Sequence, residues 1–359
     1  MNIPQKTLSL FAGASLFAFS SLSAVTTDPV GYVTETIKPG TFNLIGSNLS
    51  GSVVASGIFE SSDATTVTDT DAAFTSNLTT GKSYVATITN GTDIGIYTGV
   101  SASSATVLAT DGDISSYIVD GVTSYEIRVV LTVSDIFGDT NTAELAGGTG
   151  GDSTSADVIW IPQSTGGWTK VYYNSVASTG FGATSVGWKG TTTGDTDASE
   201  TPIYFTDPIF IQVTRGTFTD GEQGVDSSDL TTKSIVFSGA VKTQASEVFT
   251  EAGFNFVNRV FPGNISLSAS GLASELDQGV GGDFSSADII WIPKDTGGYN
   301  KYYYNGTAST GFGATSVGWK GTTTGDADAS GVNLTSAFII QRNSSSSMVT
   351  LPIPDGVTL

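Results

Sequence analysis

Paired aspartates recur at matching places in this sequence, and their spacing is the one that most suggests a metal site. Asp195 and Asp197 follow a Thr-Thr-Thr-Gly run, and Asp326 and Asp328 follow the same run further along the chain. Alternate carboxylates in a turn can supply several oxygens to Ca²⁺. Aspartates in turns also bind their own backbone, and the full EF-hand pattern is absent. The spacing therefore predicts a candidate Ca²⁺ site at each pair, with Asx-turns as the alternative and no cofactor required.

Aromatic side chains lie in two matching glycine-rich segments and could form a sugar-binding platform. Flat rings beside polar groups on a rigid loop suit stacking against a sugar. The candidate binding residues are Phe181, Trp188 and Lys189 in the first segment, and Phe312, Trp319 and Lys320 in the second. A binding role predicts that both tryptophans are exposed to solvent. The alternative is that these rings pack in the core.

The residue types needed for common catalytic sites are missing. The chain has no His and no Cys, which removes thiol nucleophiles, disulfides, Ser-His dyads and the usual zinc ligands. Glycoside hydrolysis needs two carboxyl groups at a set separation, but Glu is scarce and the Asp residues fall in turns. The sequence therefore predicts a protein that is not an enzyme.

An internal duplication organises the chain. Ala156–Pro162 recurs as Ala287–Pro293 with one Val-to-Ile change, at an offset of 131 residues. Further on, the 19 residues Ala177–Asp195 are identical to Ala308–Asp326. Between these blocks, a Gly-Gly-aromatic turn and a Tyr-Tyr-Asn strand also repeat. A fixed offset over this length indicates two copies of one structural unit.

Short apolar runs bounded by Gly, Ser, Thr, Asn and Asp turns predict strands throughout the chain. The segment after Phe42-Asn43-Leu44-Ile45 in the first copy is about 80 residues longer than its counterpart in the second. We predict an all-β fold of two related antiparallel β-sandwich-like units, 25–225 and 226–359, the first carrying a β-rich insertion at about 50–128. A closed barrel is the alternative, and one or two helical turns are expected within 134–145 and 268–276.

Residues 1–24 have the pattern of a secretory signal peptide. Lys6 provides the positive charge, Leu8–Phe19 the apolar stretch, and small residues precede a cleavage point after Ala24. No later apolar stretch reaches the length of a membrane helix. The net charge of −20 argues against nucleic acid and anionic lipid as partners. We predict export to the cell surface or extracellular space, with the periplasm as an alternative.

The mature N-terminus, Thr26–Val33 followed by Lys38–Leu44, together with the doubled Ala-Asp-Val-Ile-Trp-Ile-Pro motif, resembles a known group of sequences. This is an uncharacterised family of exported, internally duplicated proteins found mainly in Verrucomicrobia. The resemblance covers nearly the whole mature chain and implies bacterial export. It brings no activity, cofactor or binding residue. The block around Phe181 and Trp188 is longer here than the family pattern.

Together these features predict a structural or adhesive protein that associates with itself through β-strand edges. The segment Val25–Thr36, freed by signal cleavage, is the candidate donor strand. The alternative is a carbohydrate-binding module that binds surface polysaccharide through exposed aromatic rings.

Overall fold

The computed structural model describes residues 29–353, except 164–165, 214–231, 295, 312 and 344–345. The predicted signal peptide and the predicted boundary at 225/226 therefore lie outside the described residues. The described chain is built from mainly antiparallel sheets with very little helix, which confirms the all-β prediction. The short strands Gly148–Thr149 and Gly279–Val280 each pair in parallel. Within it, no helix is long and apolar enough to cross a membrane.

The first part of the chain forms nine strands. They are β1 (Val30–Ile37), β2 (Phe42–Ile45), β3 (Val53–Ile58), β4 (Ser61–Ser62), β5 (Thr66–Thr68), β6 (Tyr84–Ile88), β7 (Tyr97–Ala102), β8 (Val107–Thr110) and β9 (Ser124–Val129), with a single-turn helix α1 (Phe74–Asn77) and a 3₁₀ turn at Ser115–Tyr117. The predicted insertion makes its own seven-stranded sheet, in the order β3-β9-β6-β7-β8-β5-β4. Strands β3 and β4 are the two edge strands of this sheet, yet only Phe59 and Glu60 separate them along the chain. The sheet therefore curls into a half-barrel. Phe59 and Tyr125 stack inside it at 4.1 Å between ring centres.

The first copy of the repeated unit follows the insertion. Its elements are β10 (Leu131–Thr132), α2 (Val133–Phe137), β11 (Gly148–Thr149), β12 (Val158–Pro162), β13 (Trp168–Val176), β14 (Gly187–Gly190), β15 (Pro202–Ile203) and β16 (Ile209–Gln212). The sheet has the order β11-β13-β12-β16-β2, with β14 paired to β13. Ile159, Ile161 and Ile211 point from one face of this sheet into the core. The helix α2 begins after Thr132, which forms a capping box with Asp135.

The second copy repeats this sheet strand for strand. Its elements are β17 (Lys233–Ala240), β18 (Ser246–Thr250), β19 (Gly253–Asn258), a 3₁₀ turn at Leu272–Ser274, β20 (Gly279–Val280), β21 (Ile289–Pro293), β22 (Tyr299–Thr307), β23 (Gly318–Gly321), β24 (Ala337–Arg342) and β25 (Ser347–Leu351). The order β20-β22-β21-β24-β19, with β23 on β22, matches the first copy position by position. The β18–β25 pair adds Val248, Val349 and Leu351 to the second core.

A long ladder joins the start of the described chain to the first strand after the first copy. Strand β1 pairs with β17 over all eight residues of each, from Val30 opposite Ala240 to Ile37 opposite Lys233. Ile37, Ile235 and Phe237 from this ladder pack in the core of the first copy. The prediction of a free donor strand is therefore wrong for its described part, because that strand is already paired within its own chain. Residues 25–28 of the predicted donor lie outside the described residues.

Candidate functional site

The two loop tryptophans are core residues. Trp188 is 1% exposed and Trp319 is 2% exposed. The Trp188 ring lies 5.8 Å from Phe137 and 5.2 Å from Tyr173, and Trp319 lies 5.5 Å from Tyr304. The prediction that these rings form an exposed sugar platform is therefore wrong. Strands β14 and β23 pair with the central hairpin, which turns each indole into the core beneath it.

The adjacent lysines are also buried. The Lys189 Nζ lies 2.9 Å from the Asp195 Oδ1, and the Lys320 Nζ lies 2.8 Å from the Asp326 Oδ1. Lys189 also donates to the Ser185 hydroxyl at 2.7 Å and to the Asp195 carbonyl oxygen at 2.9 Å. Burying a charge requires pairing of this kind. The proposed binding role of Lys189 and Lys320 is therefore corrected to an internal ion pair that fastens each glycine-rich loop.

The aspartate pairs do not converge on one point. The Thr184 hydroxyl and the Lys189 ammonium hold the pKa of Asp195 well below its ordinary value. Asp197 instead accepts hydrogen bonds from the amide and hydroxyl of Ser199, at 3.0 and 2.9 Å. In the second copy, Asp326 likewise binds Lys320, Thr315 and Ser316, while Asp328 binds Ser330. Each carboxylate thus has its own partners where a shared Ca²⁺ site was predicted. Among the described residues, no group of three acidic, His or Cys side chains could hold a metal ion.

Phe181 is the predicted binding residue that the structure places on the surface. Its side chain is fully exposed, at 101%, and Val186 in the same loop is 54% exposed. The loop is anchored below by the Ala183 amide, which donates to the Gly150 carbonyl oxygen at 3.2 Å. Phe312, its counterpart, lies outside the described residues. A binding role for Phe181 stays a prediction.

Other residues of the repeated motif bind the backbone. The buried Asp157 accepts the Ala146 amide at 2.7 Å, and Asp288 accepts the Asp277 amide at 2.8 Å. Asn174 and Asn305 likewise accept the amides of Gly151 and Gly282, both at 3.1 Å. These bonds satisfy buried polar groups in loops that pack against the sheet. Much of the duplicated motif therefore maintains the fold.

In each copy, a second set of aromatic rings lies on one face of the sheet and is partly exposed. These residues were not among the candidate binding residues predicted from the sequence. In the first copy, the Phe42 ring lies 5.5 Å from Trp160, and Trp160 lies 6.4 Å from Trp168. The Lys170 Nζ lies 3.6 Å from the centre of the Trp160 ring, and the Trp160 Nε1 donates to the Gln212 Oε1 at 3.1 Å. Phe42 is 50% exposed. We call these five residues the first sheet-face platform.

The second copy reproduces this arrangement with the equivalent residues. The Phe254 ring lies 5.2 Å from Trp291, and Trp291 lies 5.9 Å from Tyr299. The Lys301 Nζ lies 3.7 Å from the centre of the Trp291 ring, and the Trp291 Nε1 donates to the Gln341 Oε1 at 3.0 Å. Phe254 is 56% exposed. These five residues form the second sheet-face platform.

The two sheet faces that carry the platforms also touch each other. The Phe256 ring of the second copy lies 5.5 Å from Trp168 and 5.4 Å from Phe210 of the first. Leu44 and Ile339 belong to the same buried cluster. The junction buries the inner part of each face and leaves Phe42 and Phe254 in solvent. Strand alternation contained the signal for this, because Trp160 must face away from the buried Ile159 and Ile161.

The outer edge of β1 has no strand beside it in the described chain. The backbone amide and carbonyl of Ala240 both bond to Ser50, on the side of β17 away from β1. Ala240 and Val30, which lie opposite each other, are therefore a non-hydrogen-bonded pair. In an antiparallel ladder these pairs alternate with hydrogen-bonded ones. The amides of Val30, Tyr32, Thr34 and Thr36 therefore point away from β17. Within the described part of the chain, none of these four amides donates a hydrogen bond.

No protein-family model matches this sequence, and no curated protein or solved structure is significantly similar to it. Two features of the described surface are candidate interaction sites, namely the open edge of β1 and the pair of sheet-face platforms.

Proposed function

We propose that this chain is an exported, non-catalytic structural or adhesive protein of the cell surface or extracellular matrix, and that it associates with itself through the open edge of β1. The signal-like segment 1–24 and the resemblance to exported, duplicated proteins support the location. The absence of His and Cys from the sequence supports a role without catalysis. The observation that carries the proposal is the unpaired and unprotected edge of β1.

Strand β1 lacks the devices that usually keep sheet edges apart. Its sequence, Val-Gly-Tyr-Val-Thr-Glu-Thr-Ile, contains no Pro and no Lys, and its ladder with β17 has no bulge. Its one charged side chain, Glu35, is turned inward, where burial raises its pKa against the effects of a Ser336 hydrogen bond and the Arg259 charge. An edge eight residues long without these protections is suited to pairing with another strand.

The proposed occupant of this edge is a strand from a second copy of the chain. The exposed face of the ladder already carries apolar side chains, with Val30 at 69%, Tyr32 at 75% and Val236 at 53% exposure. An added strand would extend this apolar surface while satisfying the outward amides of β1, each hydrogen bond contributing about 0.5–1.5 kcal/mol. Pairing of β1 with another β1 gives a closed dimer, whereas pairing with a different edge gives an open polymer.

Substitutions at Thr34 test this proposal without touching the existing ladder. The Thr34 amide points outward, so Thr34→Pro removes an outward donor and keeps the bonds to β17. Thr34→Lys places a charge on the same edge. We expect the mature wild-type protein to form dimers or ordered polymers in analytical ultracentrifugation and electron microscopy. Both variants should remain monomeric at the same concentration.

The matched control is Thr34→Val, which keeps the amide and favours a strand. It should assemble like the wild type, and circular dichroism should show the same fold for all three variants. A wild-type protein that is strictly monomeric at high concentration, with or without Ca²⁺, would refute the proposal. Assembly of Thr34→Pro and Thr34→Lys at the wild-type level would refute the assignment to β1.

A further inference from the structure

We propose that the two sheet-face platforms each bind a uronic acid residue of an acidic polysaccharide. The half-exposed Phe42 or Phe254 ring would stack against the apolar face of the sugar ring. Lys170 or Lys301, held over the neighbouring indole, would bind the sugar carboxylate. This site differs from the glycine-rich loops considered above, since its rings lie on strands β12, β13, β21 and β22 and at the start of β2 and β19. It is independent of assembly through β1.

Both copies reproduce the geometry of the platform. The Lys Nζ lies 3.6 Å from the Trp160 ring centre in one copy and 3.7 Å from the Trp291 ring centre in the other. Each indole is fixed by a Gln acceptor, at 3.1 and 3.0 Å. Trp168 has been replaced by Tyr299, which keeps a ring at this position. The shared feature is a partly exposed aromatic group with one cation and one amide.

The surface of each platform suits a sugar ring better than a protein partner. The Phe210–Phe256 junction buries the inner part of both sheet faces, so each platform is confined to the outer part of its face. A stable protein partner usually needs about 800 Å² of surface on each side. A pyranose ring needs only one or two aromatic rings for its C–H face, with polar groups at its rim for hydroxyl and carboxylate oxygens. The platforms supply this combination.

The two platform lysines carry charges that no described carboxylate neutralises. Lys82, Lys189 and Lys320 each form an ion pair with a carboxylate. Lys170 and Lys301 have no carboxylate partner among the described residues, although the chain carries a net charge of −20. An ammonium group held over an aromatic ring, in so acidic a protein, is free to bind an anion from outside.

The overall negative charge does not prevent this binding at physiological salt. The Debye length there is about 8 Å, so carboxylates elsewhere on the surface are largely screened. An ammonium in direct contact with a stacked sugar is not screened to the same extent. The total charge therefore weakens long-range attraction, while the local cation determines which sugar is retained.

Binding to short oligogalacturonides, compared with neutral cello-oligosaccharides of the same length, tests the proposal. The titrations would use the mature protein and isothermal calorimetry at physiological salt. We expect the double variant Lys170→Gln/Lys301→Gln to bind the oligogalacturonide at least tenfold more weakly. Lys82→Gln removes an exposed positive charge elsewhere and should bind like the wild type. Trp160→Phe/Trp291→Phe keeps a ring in the sheet and should weaken binding while preserving the fold.

Several outcomes would overturn the proposal. One is a wild type that shows no heat of binding with the charged sugar, or that binds the neutral sugar equally well. Another is wild-type affinity in the Lys170→Gln/Lys301→Gln variant. Saturation transfer NMR with the same oligogalacturonide provides a second readout. Saturation of the aromatic ring protons of the platforms should be transferred to the sugar. Thr34→Pro should bind sugar normally, so failure here is distinguishable from failure of self-association.

Discussion

The Trp188 indole donates a hydrogen bond from its Nε1 to the Gly138 carbonyl oxygen at 2.8 Å, just beyond the C-terminal end of α2. The hydrogen bond joins the glycine-rich loop to the helix that follows the insertion. It satisfies the only polar atom of a side chain that is 1% exposed. An aromatic residue that looked like a ligand platform therefore links two parts of the core.

Trp188→Ala is expected to destabilise the protein by about 3–5 kcal/mol, because it removes a large buried ring and leaves a cavity. Phe181→Ala, in the same loop, removes a fully exposed ring and should change the stability by less than about 0.5 kcal/mol. Urea denaturation of both variants measures the difference. Equal losses of stability would show that Trp188 does not have the core position described.

Alanine at Gly182 should be much more costly than alanine at Gly180, although both glycines lie in the same identical block. Gly182 has φ +97°, and a Cβ there would overlap the Gly150 carbonyl oxygen. Gly180 has open space around the same position. We expect Gly182→Ala to lose about 2 kcal/mol or more and Gly180→Ala less than about 0.5 kcal/mol. Chemical denaturation compares them, and similar midpoints would contradict the loop geometry.

Asp195→Asn should lower the thermal midpoint more than Asp197→Asn does, although the change in charge is the same. The first substitution leaves the buried Lys189 ammonium without its carboxylate, whereas Asp197 binds only Ser199. Because the pKa of Asp195 is lowered in the folded state, its contribution is present above the ordinary pKa of 3.8 and is lost as the pH falls through the folded value.

The same arrangement predicts the response to metal. The oxygens of Asp195 already bind Lys189, Thr184 and Ser185, so millimolar Ca²⁺ should leave the thermal midpoint unchanged. Differential scanning fluorimetry with Ca²⁺ and with a chelator measures this directly. A clear rise in the midpoint with Ca²⁺ that Asp195→Asn abolishes would restore the calcium site predicted from the sequence.

Lys242 should make the stability depend on pH. Its ammonium is buried, lies 4.3 Å from the centre of the Phe205 ring and has no hydrogen-bond partner in the described part of the chain. Its pKa is lowered to about 7, mainly by burial and also by the Arg128 charge, while the Glu126 charge acts in the opposite direction. Since the folded state favours the neutral amine, the free energy of unfolding should rise as the pH increases from about 7 towards 10.5.

Lys242→Met tests this assignment, because it replaces the buried amine with an apolar side chain of similar length. We expect it to stabilise the protein at pH values below about 7, where the wild-type amine is charged, by roughly 1–3 kcal/mol. At high pH the gain should nearly vanish. The control Lys82→Met, at a partly exposed position, should show no such dependence. An equal effect of Lys242→Met at both pH values would contradict the lowered pKa.

Local patterns in the sequence were sufficient for the elements and the duplication. Short apolar runs bounded by turn residues predicted strands throughout the chain, and β6 and β9 are two of these strands. The motifs that recur at an offset of 131 residues predicted two equivalent units, and the strand orders of the two sheets match. Such features depend on alternation, turn residues and repetition, all of which are encoded within short stretches of chain.

Tertiary packing decided which aromatic rings face solvent. Trp188, which follows a glycine in a loop-like segment, and Trp160, which lies within an apolar run, are the same residue type with the same preference for burial. Trp188 is buried because β14 lies against β13 above α2. Trp160 lies on the other face of the sheet, packs against the buried Val158 and Tyr172, and stays partly exposed. The relevant contacts join residues tens of positions apart, so no local pattern specifies them.

The sequence by itself determined that this protein is built from strands, that its units are duplicated, and that it lacks the residues of common catalytic sites. These properties follow from composition and from periodicity along the chain. Only the tertiary structure decided that Lys189 pairs with Asp195, that β1 is held by β17, and that Trp160 and Trp291 stay partly exposed. Those outcomes depend on which distant segments come together, because burial and ion pairing are properties of the packed chain.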